Sequence, residues 1–179
     1  PYKTAWFLMH RIRESLRENA KSPMGGDGRT AEADETYIGG KEGNKHASKR
    51  IGAGGGGKGK EAAFSLVERG GRVRSFHLPA VNADNLRQAL VSQIDRASVH
   101  MTDEHRGYVA VGREFAGHEA VNHGIGEYVR GDAHTNTVEN YFSILKRGIN
   151  GTYHHVSQQH FKRYLAEFDY RLTNAKGLA

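Results

Sequence analysis

Apolar residues recur along this chain with two periods, and the places where the period changes divide it into elements. Trp6, Met9, Ile12 and Leu16 follow one another at spacings of three and four, which predicts an amphipathic helix over residues 2–18 that packs through this face, with Arg11, Arg13, Arg17 and Glu18 mostly elsewhere. Lys21 to Arg29 (KSPMGGDGR) reads as a linker. Ala31, Ala33, Thr36 and Ile38, mixed with Glu32, Asp34 and Glu35, predict a strand stopped by Gly39-Gly40. Ala62 to Val67 and Arg72 to Leu78 are strand patterns around an Arg69-Gly70-Gly71 hairpin signal. Leu86, Leu90 and Ile94 line one face of a helix over residues 82–95. A short strand follows at Ser98 to Met101, where Val99 and Met101 alternate against His100, and then a short helix from His105 to Phe115. Ala120 to His123 predicts a weak strand, and a loop runs on to Ala133.

The strongest periodicity comes last. Val138, Tyr141, Phe142, Leu145 and Ile149 form one stripe of a helix, and Phe161, Leu165, Phe168 and Leu172 form the stripe of another, capped by Ser157. A three-strand meander followed by strands separated by helices predicts an α/β domain with a mixed five-stranded sheet flanked by helices, over residues 30–174. The helix within residues 1–20 precedes it.

Composition narrows what such a domain does. With 179 residues and 37% hydrophobic content, the chain is long enough for one domain with a sizeable core. A net charge of +6 and a sequence pI near 9.6 suit a polyanionic partner. The absence of Cys excludes disulfides, thiolate zinc sites and a cysteine nucleophile. No apolar run approaches the roughly 20 residues of a membrane span, and nothing resembles a signal peptide, so no membrane partner is expected and the chain reads as cytoplasmic. Between Gly39 and Lys60 lie nine glycines and six Lys or Arg against one acid, Glu42. Gly52 to Lys58 has the spacing of a phosphate loop, but Gly59 stands where that motif requires Ser or Thr, and no strand leads in. The stretch reads better as a mobile basic loop whose Lys45, Lys49, Arg50 and Lys58 touch a phosphate backbone.

Three acids fall where this order of elements can gather them: Asp34 on the first strand, Asp103 at the end of the fourth, Glu139 on the helix after the fifth. Asn136 as N-cap with Glu139 three residues on is also close to a capping box, which needs no catalysis. Clustered carboxylates repel and have raised pKa values unless cations neutralise them. Two divalent ions about 3.5–4 Å apart on such a cluster are the machinery of in-line displacement at phosphorus. Mg²⁺ suits an all-oxygen ligand set, with Mn²⁺ as the alternative. Lys146, seven residues after Glu139, sets a cation beside it. His123 and His134 are candidates for contacting phosphate near the acids. Lys146 and Arg147, with Lys162, Arg163 and Arg171, offer a basic track beside Tyr153 and Tyr164. A zinc hydrolase built on His154, His155 and either His160 or His134 is the weaker reading, since adjacent His rarely serve as a ligand pair and no HExxH spacing occurs.

The runs ADETYIGG (Ala33 to Gly40), TDEHRGY (Thr102 to Tyr108), VNHGIGEYV (Val121 to Val129), HTNTVENYFSILKRGINGTYHHVS (His134 to Ser157) and RYLAEFDYR (Arg163 to Arg171) together resemble the ISXO-type insertion-sequence transposases, in order and over nearly the whole chain. The resemblance implies an RNase H-like fold and a DDE-type site. It implies two Mg²⁺ ions, nicking of transposon-end DNA and joining of its 3′ ends to target DNA, by a bacterial, nucleoid-associated protein that is a homo-oligomer on DNA. Asp34 and Asp103 match the first two acids, Glu139 the third with 35 residues between it and Asp103, and Lys146 the basic residue beyond. Parts of the group carry Asn as the third residue, and Asn136 sits in the same turn, so the third position stays open between the two. Members of the family usually carry an N-terminal zinc ribbon. This cysteine-free chain has none, so residues 1–20 are read as leading from a missing DNA-binding region. The alternative function is a catalytically inactive DNA-binding or assembly remnant, which has no reason to keep all three acids.

Overall fold

The computed structural model describes residues 1–17, 22–40, 46–50, 57, 59–103, 106–121 and 134–175. The central strand β1 (Thr30–Ile38) runs antiparallel to β2 (Glu61–Glu68), which is antiparallel to β3 (Val73–Leu78). On its other side β1 runs parallel to β4 (Val99–Thr102), and β4 parallel to β5 (Gly117–Ala120), giving the order β3-β2-β1-β4-β5. The helices are α1 (Tyr2–Ser15), α2 (Ala83–Gln93), α3 (Arg106–Gly112), α4 (Asn136–Gly148), which runs on into a π-helical turn Ile149–Tyr153, and α5 (Gln158–Thr173). The five-stranded mixed sheet flanked by helices is the expected α/β, RNase H-like architecture.

Because side chains alternate along a strand, each face of the sheet has its own core. Ala31 and Ala33 of β1 join Phe64, Leu66, Leu86, Leu90 and Tyr108 on the α2/α3 face. Ile38, Ala63, Val67 and Val73 meet Tyr141, Leu145, Phe161, Leu165 and Phe168 on the α4/α5 face. The expected stripes of α4 and α5 are buried. Two side chains of α5 also cover the donors of the outer strand: Val73 N–H donates to Thr173 Oγ1 at 3.1 Å and Ser75 N–H to Asp169 Oδ2 at 2.8 Å. Asp169 Oδ1 accepts from Tyr141 O–H at 2.6 Å and from the Ser75 hydroxyl at 2.7 Å, so one carboxylate ties β3, α4 and α5 together. Burial first, then the Asp169 charge, pushes the Tyr141 phenol well above its ordinary pKa. At Gly148 α4 lies close against α5, where a Cβ would fall 2.2 Å from Phe168 Cζ.

Several expectations change. The face of α1 predicted to pack is open to solvent, with Trp6, Met9 and Ile12 42–43% exposed, and His10 and Arg13 are buried instead. Arg13 Nε donates to the buried Glu167 carboxylate at 2.7 Å and its guanidinium lies 4.1 Å from the centre of the Tyr164 ring. A carboxylate buried on α5 requires a cation, and this requirement sets how α1 docks. Within the expected linker, Met24 is fully buried and exchanges backbone hydrogen bonds with Gln93 and Asp95. The last strand lies at Gly117–Ala120, earlier than expected, because β4 offers its pairing partners to those residues; Asn122 and His123 lie outside the described residues. His100 does not alternate outward. β4 is inside the sheet, so His100 is buried like Met101, and burial, followed by the nearby His118, lowers its pKa to about 3.

Glu32 explains how α4 is placed. Its side chain is fully buried and accepts Arg69 Nε at 2.7 Å, the Thr137 hydroxyl and backbone amide at 2.9 Å each, and the Val138 amide at 3.1 Å. A strand carboxylate therefore satisfies the open amides at the helix start and sits at the positive end of its dipole. This corrects the expected cap: Thr135 is the N-cap, and Asn136 is the first helical residue, exposed to solvent. Glu32→Ala is expected to cost about 3–5 kcal/mol in urea unfolding, since it removes the acceptor of Arg69 Nε and of two amides. Amide exchange at Thr137 and Val138 should quicken more than at Leu145.

Candidate metal and nucleic-acid site

The pleat and the register of β1 against β4 bring the two aspartates together. Asp34 shares a strand face with Glu32, which is the α4 side, and Glu32 is paired with Met101. Continuing that register by two residues sets Asp34 beside Asp103, just past the end of β4. Glu139 lies in the first turn of α4, half-buried, and accepts the Thr135 hydroxyl at 2.9 Å. The cap at Glu32 fixes that turn over β1, so the third acid arrives by the same device that starts the helix.

The electrostatics agree with this placement. Burial pushes the Asp34 carboxyl up to about 8, and the charges of Asp103, Glu35 and Glu139 push the same way, against one backbone hydrogen bond from Glu35 N–H at 2.7 Å. Glu35 itself points to the other face of the sheet, where Tyr108 O–H donates to it. The charged groups that act on Asp34 among the described residues are carboxylates, whose hard oxygens are the chemistry Mg²⁺ and Mn²⁺ take. Among the described residues, however, no three His, Asp or Glu side chains close on one point.

The remaining expected residues divide. Lys146 and Arg147 are exposed in the last turn of α4, and Lys146 lines a cleft of about 880 Å³ at the end of β1. Arg50 is exposed at the end of a 3-10 turn, Ala47–Lys49. Lys45, Lys58, His123 and the side chain of Lys49 lie outside the described residues. His134 is turned inward: its Nδ1 is 3.4 Å from Glu32 Oε1, and its carbonyl accepts Arg69 Nη2 at 3.0 Å. The basic track does not form as expected. Arg163 pairs with Glu14 at 2.7 Å and so holds α1 on α5, while Arg171 pairs with Glu167 at 2.5 Å within α5 and Tyr153 O–H donates to the same Glu167 at 2.7 Å. Nor do the histidines assemble as zinc ligands: His160 packs on the His10 ring at 4.4 Å, and His154 Nδ1 lies 3.1 Å from the Asn150 carbonyl.

The structure adds Glu32, Arg69, Thr135 and Thr137, which position the site. Arg69, in a hairpin turn, carries no sign in the sequence that it faces inward.

Residues 26–173 match the ISXO2-like transposase domain, and the chain belongs to that family. It is also 32% identical over 114 residues to a Halobacterium salinarum protein described as an uncharacterized protein in transposable element ISH50. That match covers 63% of this chain and 38% of the relative, so the chain spans well under half the length of the curated protein it matches.

The Asp34 shift has a definite sign. Its folded pKa, about 8, lies above the ordinary 3.8, so the folded state holds this proton more tightly. The stability this confers is complete below pH 3.8 and is lost as the pH rises towards 8. In metal-free buffer, Asp34→Asn should melt at nearly the parent temperature at pH 4 and several degrees above it at pH 8, a gap that thermal melts across that range will read.

Proposed function

We propose that this chain is the catalytic domain of a transposase that nicks transposon-end DNA and joins the 3′ ends to target DNA, with Asp34, Asp103 and Glu139 as ligands of two divalent cations. The observation that carries the reading is the placement of Asp34, half-buried on β1 in register with Asp103 and under the turn that bears Glu139, where burial first and then the neighbouring charges raise its pKa, an arrangement costly to stability unless cations bind there. Membership of the transposase family and the basic balance of the chain support it. When bound, such ions activate an attacking hydroxyl or water and stabilise the departing 3′ oxygen. The chain supplies position. Strands β1 and β4 hold the aspartates side by side, the Glu32 cap orients Glu139, and Lys146 and Arg147 meet the DNA backbone beyond them. Glu139 is the better third ligand, being a half-buried carboxylate that acts on Asp34, whereas Asn136 is a neutral, exposed amide at the helix start.

Strand transfer with labelled transposon-end duplexes tests this. Asp34→Asn, Asp103→Asn and Glu139→Gln should each fall to a few per cent of the parent rate or less and remain folded, and Asn136→Ala should stay active. Near-parental activity in Glu139→Gln together with a folded but inactive Asn136→Ala would move the third position to Asn136. Millimolar Mg²⁺ should also raise the melting temperature of the parent at pH 8 and leave that of Asp34→Asn nearly unchanged.

A further inference from the structure

The next residue after Asp34 on the α4-facing side of β1 is Thr36, about 7 Å further along the strand. Thr36 opens onto the cleft at the end of β1, whose volume of about 880 Å³ falls within the roughly 300–1,000 Å³ of small-ligand sites. Two ammonium groups line it from separate elements, Lys60 at the entry to β2 and Lys146 in the last turn of α4. Neither forms an ion pair among the described residues. The Tyr37 ring lines the same cleft and is 39% exposed, unusual for a large aromatic on a central strand. His77 also lines it, with Nε2 set against Glu61 Oε2 at 2.6 Å, an edge able to hydrogen-bond a polar heterocycle.

These groups describe a ligand with an anionic centre and a planar ring, sited one nucleotide's reach from the acids. Two separated cations match a phosphate, and an exposed phenol ring is a stacking platform for a base. A base still paired in a duplex cannot enter a concave site, so the nucleotide it takes must be unpaired. We propose that this cleft holds one unpaired nucleotide of the strand engaged at Asp34, its phosphate between Lys60 and Lys146 and its base against Tyr37. The inference rests on the DNA-processing reading above and adds to it a substrate feature, local unpairing next to the reacting phosphate.

The test is equilibrium binding of the full chain, in EDTA so that no turnover intervenes, to two labelled duplexes. One is blunt, and the other carries an unpaired 3′ extension with 2-aminopurine as its first unpaired base. The parent should prefer the extended duplex and quench the 2-aminopurine. Tyr37→Ala should lose about tenfold in affinity for the extended duplex and abolish the quench, staying within about twofold of the parent on the blunt one. Tyr37→Phe, which keeps the ring, should behave as the parent. Lys60→Ala should weaken binding of the extended duplex and lower its salt slope by about 0.7, as loss of one single-strand phosphate contact does. Equal losses on both duplexes, or none on either, overturn the cleft assignment while leaving DNA binding intact. A parent chain that binds neither duplex overturns the proposed function itself.

Discussion

A buried carboxylate bonded to the first amides of a helix is the constraint on which this structure turns. The apolar stripe of α4 gives the helix a face but fixes neither its roll nor its position along the sheet, because hydrophobic contact has no direction. Hydrogen bonds do. Glu32 holds the Thr137 and Val138 amides within 3.1 Å and is itself held by Arg69, so the first turn of α4 has one address on β1. Glu139 is in that turn, so the place of its backbone over β1 is fixed with it, and the Thr135 hydroxyl bonds its carboxylate. A longer route, through loops, would leave Glu139 far less tightly placed relative to β1.

The same region is where the fold is least economical. Glu32 is buried but fully bonded, whereas Asp34, two residues along on the same face, is pressed by negative charges and carries a pKa near 8. Two carboxylates of one strand thus have opposite roles: Glu32 is fully partnered for structure, and Asp34 is left where ionising it is costly. The expense is offset away from the site, where Asp169 satisfies the donors of β3 and Tyr141, and the core packs on both faces of the sheet.

Much of this was legible in the sequence, for reasons particular to each element. Strands β1, β2 and β3 and helices α4 and α5 announce themselves because their periods are long and their boundaries carry Gly or cap residues. The acids were legible because burying a carboxylate is costly wherever it occurs. What stayed hidden was directional: Asn136 has the chemistry of an N-cap, but a partner 104 residues earlier in the chain, Glu32, supplies that service, so Asn136 is left in solvent. The docking of α1 was hidden for a related reason. Its apolar stripe outweighs Arg13 on any count of hydrophobicity, but Glu167 and the Tyr164 ring, far along the chain, decide which face is buried.

The glycine that lets α4 touch α5 makes the helix a lever. Its fulcrum is the pinned first turn, and Gly148, close to the far end, bears on the Phe168 ring with no room for a methyl group. A bulkier residue there displaces the Phe168 ring or lifts the far end of α4 while the pinned end holds. Displacement along a pivoting rod grows with distance from the fulcrum, so Lys146 would swing through an arc that Glu139, about 10 Å nearer the pin, hardly shares. The acids and the cation beyond them are therefore mechanically separable, and the alignment between them is tuned from a position that touches neither.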